Sequence, residues 1–120
     1  MNRDIEFRGM HSNKWLYGYL VKSVDDNKYY ITVSTDQFYQ VKKETIGQYT
    51  GLTDKNGKKI FEGDIVKSKY GVFKSKVEWN DSFCGFFPFC NNDTGIFADE
   101  CEVIGNIYEN KELLGDLNER

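Results

Sequence analysis

Gly47-Gln48-Tyr49-Thr50-Gly51-Leu52-Thr53-Asp54-Lys55-Asn56-Gly57-Lys58-Lys59-Ile60-Phe61-Glu62-Gly63-Asp64-Ile65-Val66 is the stretch whose reading decides the fold. It interleaves glycines with residues that favour strands. Tyr49 to Thr53 and Lys58 to Phe61 flank Asp54-Lys55-Asn56-Gly57, and Asn-Gly supplies the positive φ angles that hairpin turns demand. The segment therefore predicts a hairpin. Gly63-Asp64 then predicts a tight bend, the glycine turning and the aspartate carboxylate accepting backbone N–H groups before a strand from Ile65 to Lys69. This is scaffold and not a reaction centre. Gly47, Gly51, Gly57 and Gly63 match neither the phosphate-loop pattern nor the dinucleotide fingerprint, and they fall between strands, away from any helix N-terminus.

Working downstream, Tyr70-Gly71 is expected as a two-residue turn. It places Lys67 opposite Lys74 on one face and gathers Val66, Phe73, Val77 and Trp79 as a core stripe on the other. Asn80-Asp81-Ser82 turns the chain into the apolar run Phe83 to Cys90, whose Gly85 and Pro88 point to an irregular or edge strand. Asn91 to Gly95 reads as a loop and Cys101 to Tyr108 as a closing strand. Glu109 to Leu114 has room for one or two helical turns ended by Gly115.

Working upstream, Asp4 to Arg8 alternates apolar Ile5 and Phe7 with charged Asp4, Glu6 and Arg8, the pattern of a strand with one buried face. Gly9 to Asn13 reads as a loop. Trp15 to Val24 and Lys28 to Ser34 are strand-like and joined by turn chemistry at Asp25-Asp26-Asn27, which makes a three-stranded meander. Thr35 to Glu44 fits either a short helical turn capped by Thr35 or Asp36, or an edge strand through Phe38, Tyr39 and Val41. The fold expected is mainly β, a β-rich α+β arrangement. An N-terminal antiparallel β-meander over residues 1–46 precedes a small antiparallel SH3-like barrel over roughly residues 47–108, with a short C-terminal helix. The second region runs over residues 47–120 and can share one core with the first.

The 120 residues suit one domain, or two very small ones. An aromatic content of 16%, with one proline and two methionines, suits side chains packed on pleated sheets. The N-terminus lacks the charged, apolar and small-residue succession of a signal peptide, and no apolar run approaches the ~18 residues of a membrane helix. Cys84, Cys90 and Cys101 form an odd set without paired spacing, as in a reducing compartment. A soluble cytoplasmic protein without membrane contact is expected.

Candidate chemistry is sparse. Asp54, Glu62 and Asp64 cluster in sequence and have the residue types for acid/base work or a divalent cation. Asp54 belongs to a turn and Asp64 to a bend, however, so structural hydrogen bonding is the stronger reading. His11 is the single histidine, in a glycine-containing stretch where exposure is expected, and it has no nucleophile beside it in sequence. The three cysteines lack the knuckle spacing of a zinc site and read as small buried hydrophobes. No cofactor and no metal is expected.

Charge is more informative than the net of −3. Residues 42–76 sum to +5 and residues 77–120 to −8, while residues 1–41 are neutral. Such asymmetry fits an anionic partner for a lysine face formed by Lys67, Lys69, Lys74 and Lys76, electrostatic pairing of the two segments, or a solvated surface. Lysines there also protect an edge strand against unwanted pairing.

Four blocks carry a family resemblance: Glu44-Thr45-Ile46-Gly47-Gln48-Tyr49-Thr50-Gly51-Leu52, Asp54-Lys55-Asn56-Gly57, Ile60-Phe61-Glu62-Gly63-Asp64-Ile65-Val66 and Val103-Ile104-Gly105-Asn106-Ile107-Tyr108-Glu109-Asn110. In this order they resemble the YopX proteins of bacteriophages and prophages. Ile5-Glu6-Phe7-Arg8 is similar to that family's opening strand, so the likeness spans nearly the whole chain. Lys111 stands where the family pattern has proline, a departure that bears only on the start of the terminal helix. The resemblance implies a phage or prophage origin, a β-rich fold and self-association, and it carries over no catalytic residue.

Three function classes follow. The first is a non-enzymatic binding or regulatory accessory protein in the bacterial host cytoplasm, homo-oligomeric and engaging a host or phage protein. Complementary charge and the aromatic surplus near Phe83 to Phe89 support it. The second is a nucleic-acid-binding barrel using Lys67, Lys69, Lys74 and Lys76 with Tyr70 and Phe73 as stacking partners, against which stands an acidic pI of 5.2. The third, an enzyme using Asp54, Glu62, Asp64 or His11, ranks last because no pairing of nucleophile and base is legible.

Overall fold

The computed structural model describes residues 4–34, 36–69, 73–90 and 95–114. The chain divides into two compact units, Met1–Tyr49 and Thr50–Arg120. Strands are mainly antiparallel partners throughout, in keeping with the aromatic and β-branched content.

In the first unit, β1 (Phe7–His11), β2 (Lys14–Lys22), β3 (Tyr29–Ser34) and β4 (Gln37–Val41) form an antiparallel sheet, to which the start of β5 (Gly47–Thr53) adds beside β1. The ambiguous stretch before Glu44 resolves as a strand followed by a 3₁₀ turn at Lys43–Thr45. Its end is tied to β1. The Lys42 N–H donates to the Met10 carbonyl at 2.9 Å, and the Met10 N–H donates to Thr45 Oγ1 at 2.9 Å. Gly9 is required at this crossing, since a Cβ there would lie 2.9 Å from the Val41 side chain. Ile31 and Val41 are buried on the inner face of this sheet.

Two expectations for this unit are corrected. The loop foreseen over Gly9 to Asn13 shrinks to a turn, because β1 continues to His11, which pairs with Lys14. Ser12 adopts φ 55° to make the turn. Exposure along the opening segment also departs from the alternation: Ile5, before the strand begins, is 60% exposed, and Arg8 is only 5% exposed although it shares the outer face with Tyr17. Arg8 lies between Tyr17 of β2 and Gly47 of β5 in register, and its guanidinium stacks 4.6 Å from the Trp15 ring centroid. A guanidinium is planar and weakly hydrated, so it tolerates burial against an aromatic ring.

In the second unit the hairpin is as the sequence predicts. β5 and β6 (Lys59–Phe61) flank the turn, the Asp54 N–H donates to the Lys58 carbonyl at 2.8 Å, and Gly57 takes φ 79°. The bend follows, with Gly63 at φ 95° and Asp64 Oδ2 accepting the Phe61 N–H at 2.8 Å. Then β7 (Asp64–Ser68) lies centrally between β8 (Lys74–Lys76) and β11 (Cys101–Asn106). Lys67 pairs with Lys74 as expected, while the Tyr70-Gly71 turn lies outside the described residues. The core is Ile60, Val66, Val77, Phe86 and Cys101, with Phe89, Ile96, Ala98 and Val103 packed on it.

The expected SH3-like barrel is not what forms. Among the described residues the second unit holds a three-stranded sheet β11-β7-β8, a two-stranded sheet of β9 (Glu78–Asn80) with β10 (Gly85–Phe87), and the β5–β6 pair, without closing into a barrel. The cause is local. The ladder to β7 ends at Lys76, and Val77 turns inward while its N–H donates to the Asp64 carbonyl at 2.8 Å. The chain leaves that sheet there, and Trp79 pairs instead with Phe86. Strands of three residues bounded by Pro88 are too short to bridge the gap. Trp79 is consequently half-exposed and no member of the core stripe.

The terminal helix is likewise reduced to one 3₁₀ turn, Lys111–Leu114, and Gly115 lies outside the described residues. Just before that turn, Asn106 Oδ1 accepts the N–H groups of Tyr108 and Glu109 at 3.0 and 2.9 Å, an Asx turn that bends the chain after β11. Most of the loop expected over Asn91 to Gly95 also falls outside the described residues.

Candidate functional site

The lysine face is real in register but not free in charge. Lys67 sits between Lys74 on β8 and Glu102 on β11. Lys69 Nζ meets Glu100 at 3.3 Å, Lys76 meets Glu78 at 3.9 Å, and Lys55 meets Glu102 at 3.7 Å. The basic segment is thus matched to the acidic one within the second unit. Each pair is about half-exposed and contributes little to stability. Their consequence is for recognition, since a lysine already beside a carboxylate offers less to an anion. Lys74 and Lys76 lie on β8, the outer strand of the described sheet, where like charges resist edge-to-edge pairing.

Two of the candidate carboxylates, Asp54 and Asp64, accept backbone N–H groups. Asp54 is 4% exposed. Its Oδ1 accepts the N–H groups of Asn56 and Lys58 at 2.8 and 2.9 Å, and its Oδ2 accepts that of Val103 at 2.9 Å. Burial pushes the Asp54 carboxyl up, yet the donors from Val103, Lys58 and Asn56, with the Lys58 charge, outweigh it and hold the group below the ordinary carboxylate range. Asp64 is 2% exposed and holds the bend through Phe61. Glu62 is partly buried beside them in sequence. Asp54 and Asp64 therefore spend their oxygens on backbone geometry.

His11 is exposed, as the sequence predicts, and its ring is engaged. Nδ1 lies 2.8 Å from the Gln40 carbonyl, and the ring stands edge-on to Tyr39 at 5.6 Å. It covers part of the outer edge of β4. Of the cysteines, Cys101 is the buried small hydrophobe expected, Cys90 is intermediate and Cys84 is exposed. Burial pushes the Cys101 thiol up, reinforced by Glu100, Asp99 and Asp54, so it stays protonated. No group of three or more potential metal ligands occurs among the described residues.

The aromatic surplus near Phe83 to Phe89 divides. Phe86 and Pro88 are buried, whereas Phe83 is half-exposed. A larger exposed set, not singled out in the sequence, lies on the outer face of the first sheet. Tyr17 is 44%, Tyr19 67% and Phe38 52% exposed. Tyr19, Thr32 and Phe38 are cross-strand partners and so share one face, and Tyr17 stands two residues before Tyr19 on the same side of β2. In the next row Val21, Tyr30 and Gln40 are partners. Neither row contains a charged residue. The Tyr30 hydroxyl donates to Asp26 Oδ2 at 2.8 Å, which orients its ring at the end of the patch. The signal available in the sequence was that β2 is apolar at both parities, Leu16 and Leu20 on one side, Tyr17 and Tyr19 on the other.

No helix among the described residues is long and apolar enough to cross a membrane. No curated protein matches the chain. A family model described as YopX protein matches residues 6–115. With the hairpin, the Gly63-Asp64 bend and the terminal Asx turn all inside that span, the chain belongs to the YopX protein family.

Proposed function

We propose that this chain is a phage- or prophage-encoded accessory protein that works in the host cytoplasm by binding, self-associating and engaging another protein, and not by catalysis. The observation that carries this reading is the outer face of the first unit, where Tyr17, Tyr19 and Phe38 are all substantially exposed while Arg8, the partner of Tyr17, is buried against Trp15. Interface centres are depleted of charge and enriched in tyrosine and other aromatics, whose rigid rings supply contact area at low entropic cost. Contiguous apolar surface of this kind marks association sites. The engagement of Asp54 and Asp64 with backbone N–H groups, and of His11 with the Gln40 carbonyl, supports binding over acid/base chemistry.

Sedimentation velocity across a range of concentrations tests it. Association is expected to persist in salt, because the exposed aromatics are uncharged, and to weaken about tenfold when Tyr19 and Phe38 are both changed to alanine. A protein monomeric at every concentration would overturn the self-association. Nucleic-acid binding through Lys67, Lys69, Lys74 and Lys76 has less support, since Lys69 and Lys76 lie beside carboxylates. Fluorescence anisotropy with single-stranded and duplex DNA and RNA at low salt decides that alternative.

A further inference from the structure

Within the second unit a cavity of about 130 Å³ opens between the ends of β7 and β11. Phe73, Ile96, Phe97, Cys101 and Ser68 line it, a largely apolar set. A cavity of roughly this size, about 150 Å³, takes up benzene when its walls are apolar. Ser68 is the exception among the walls. It pairs with Cys101 across the ladder, its N–H donates to the Phe73 carbonyl at 2.8 Å, and it stands two residues beyond fully buried Val66 on the same side of β7. Its Oγ is buried and has no hydrogen-bond partner among the described residues. Burial of a hydroxyl without a partner is unfavourable, and native structures satisfy nearly all such groups, so this one is open to a hydrogen bond from whatever enters the cavity.

The rim narrows the class of occupant. Lys69 Nζ and Glu100 Oε2 lie 3.3 Å apart and balance each other there. Cys101, buried and protonated, adds no charge to the interior. An ionised ligand would enter without a counter-charge left over for it, while a neutral ring gains from displacing water along apolar walls.

We propose that this cavity binds a small uncharged monocyclic molecule carrying one hydroxyl or carbonyl, its ring against Phe73, Ile96 and Phe97 and its polar group hydrogen-bonded to Ser68 Oγ. The site is separate from the outer face of the first unit and stands whether or not that face self-associates.

Titration of the ¹⁵N-labelled full chain with phenol, and with toluene as the ring lacking a hydroxyl, tests the proposal. Saturable amide shifts centred on Ser68, Phe73, Ile96 and Cys101 are expected for both. Ser68→Ala is expected to weaken phenol about three- to tenfold, the range of one hydrogen bond, while changing toluene less than about twofold. Ile96→Trp, whose larger ring takes up space that a bound ring needs, is expected to abolish both. Absence of saturable shifts at millimolar ligand, an equal effect of Ser68→Ala on the two rings, or phenol binding retained in Ile96→Trp would each overturn it.

Discussion

In the second unit Lys69, Lys76 and Lys55 each lie within 4 Å of a carboxylate from the acidic segment, at 3.3, 3.9 and 3.7 Å. In the first unit the exposed face of β2 to β4 carries Tyr19 and Phe38 in a row without charge, and beside it Tyr17, whose charged partner Arg8 is buried. The charged region is largely matched within itself, and the aromatic face stays substantially exposed. Coulombic complementarity can be met inside a chain by any neighbouring strand of opposite sign, whereas an aromatic face on the outside of a sheet has only solvent or another molecule to cover it.

The contrast can be broken at its scaffold or sharpened at its surfaces. The largest effect is expected from Asp54→Ala, which leaves the N–H groups of Asn56, Lys58 and Val103 without their acceptor. A loss of about 3–5 kcal/mol, measured by urea denaturation, is expected from a buried charge-assisted cluster of this kind. The same carboxylate sets an acid limit. Its folded value is depressed, so its stabilisation is present above the unfolded value of about 3.9 and is lost as pH falls through the lower folded value. Acid unfolding of the native protein should therefore steepen below about pH 4, and Asp54→Asn should remove that component.

Gly63→Ala comes next, at about 2 kcal/mol in the same denaturation assay. It forces a side chain into φ 95° and places its Cβ 2.9 Å from the Tyr108 ring. Tyr19→Ala with Phe38→Ala separates the two units functionally. Thermal stability should change by less than about 1 kcal/mol because the rings are half-exposed, while association weakens about tenfold. The smallest effect is expected from Lys74→Glu, which turns the like-charged Lys67–Lys74 pair into an opposite-charged one. A gain of about 0.5 kcal/mol at low salt, fading as salt rises, would show that the lysine ladder serves edge protection at a small cost in stability.

Much of the local architecture was legible. Asn56-Gly57 specified its hairpin and Gly63-Asp64 its bend, and Lys67 was placed against Lys74 by turn length and alternation alone. Where the structure departs from the sequence, packing beyond the local segment is the reason. The period of two places Arg8 outward, and its register with Tyr17 keeps it on that face, but Trp15 stacks on its guanidinium and buries it. The same period places Trp79 inward, but the chain changes sheets at Val77, so the alternation restarts. Spacing predicts a terminal helix, and the described residues form the single 3₁₀ turn Lys111–Leu114.

The sequence by itself determined the turns, the antiparallel strand pairs nearest in order and the charge asymmetry, because these follow from φ preferences and from side-chain alternation over a few residues. Only the tertiary structure decided where the acidic segment lies, what Asp54 reaches 49 residues away, which aromatics remain outside, and that Ser68 faces a cavity with its hydroxyl unpaired. Each of those depends on which distant strands meet, and strand pairing is fixed by the whole set of buried contacts at once and not by any segment alone.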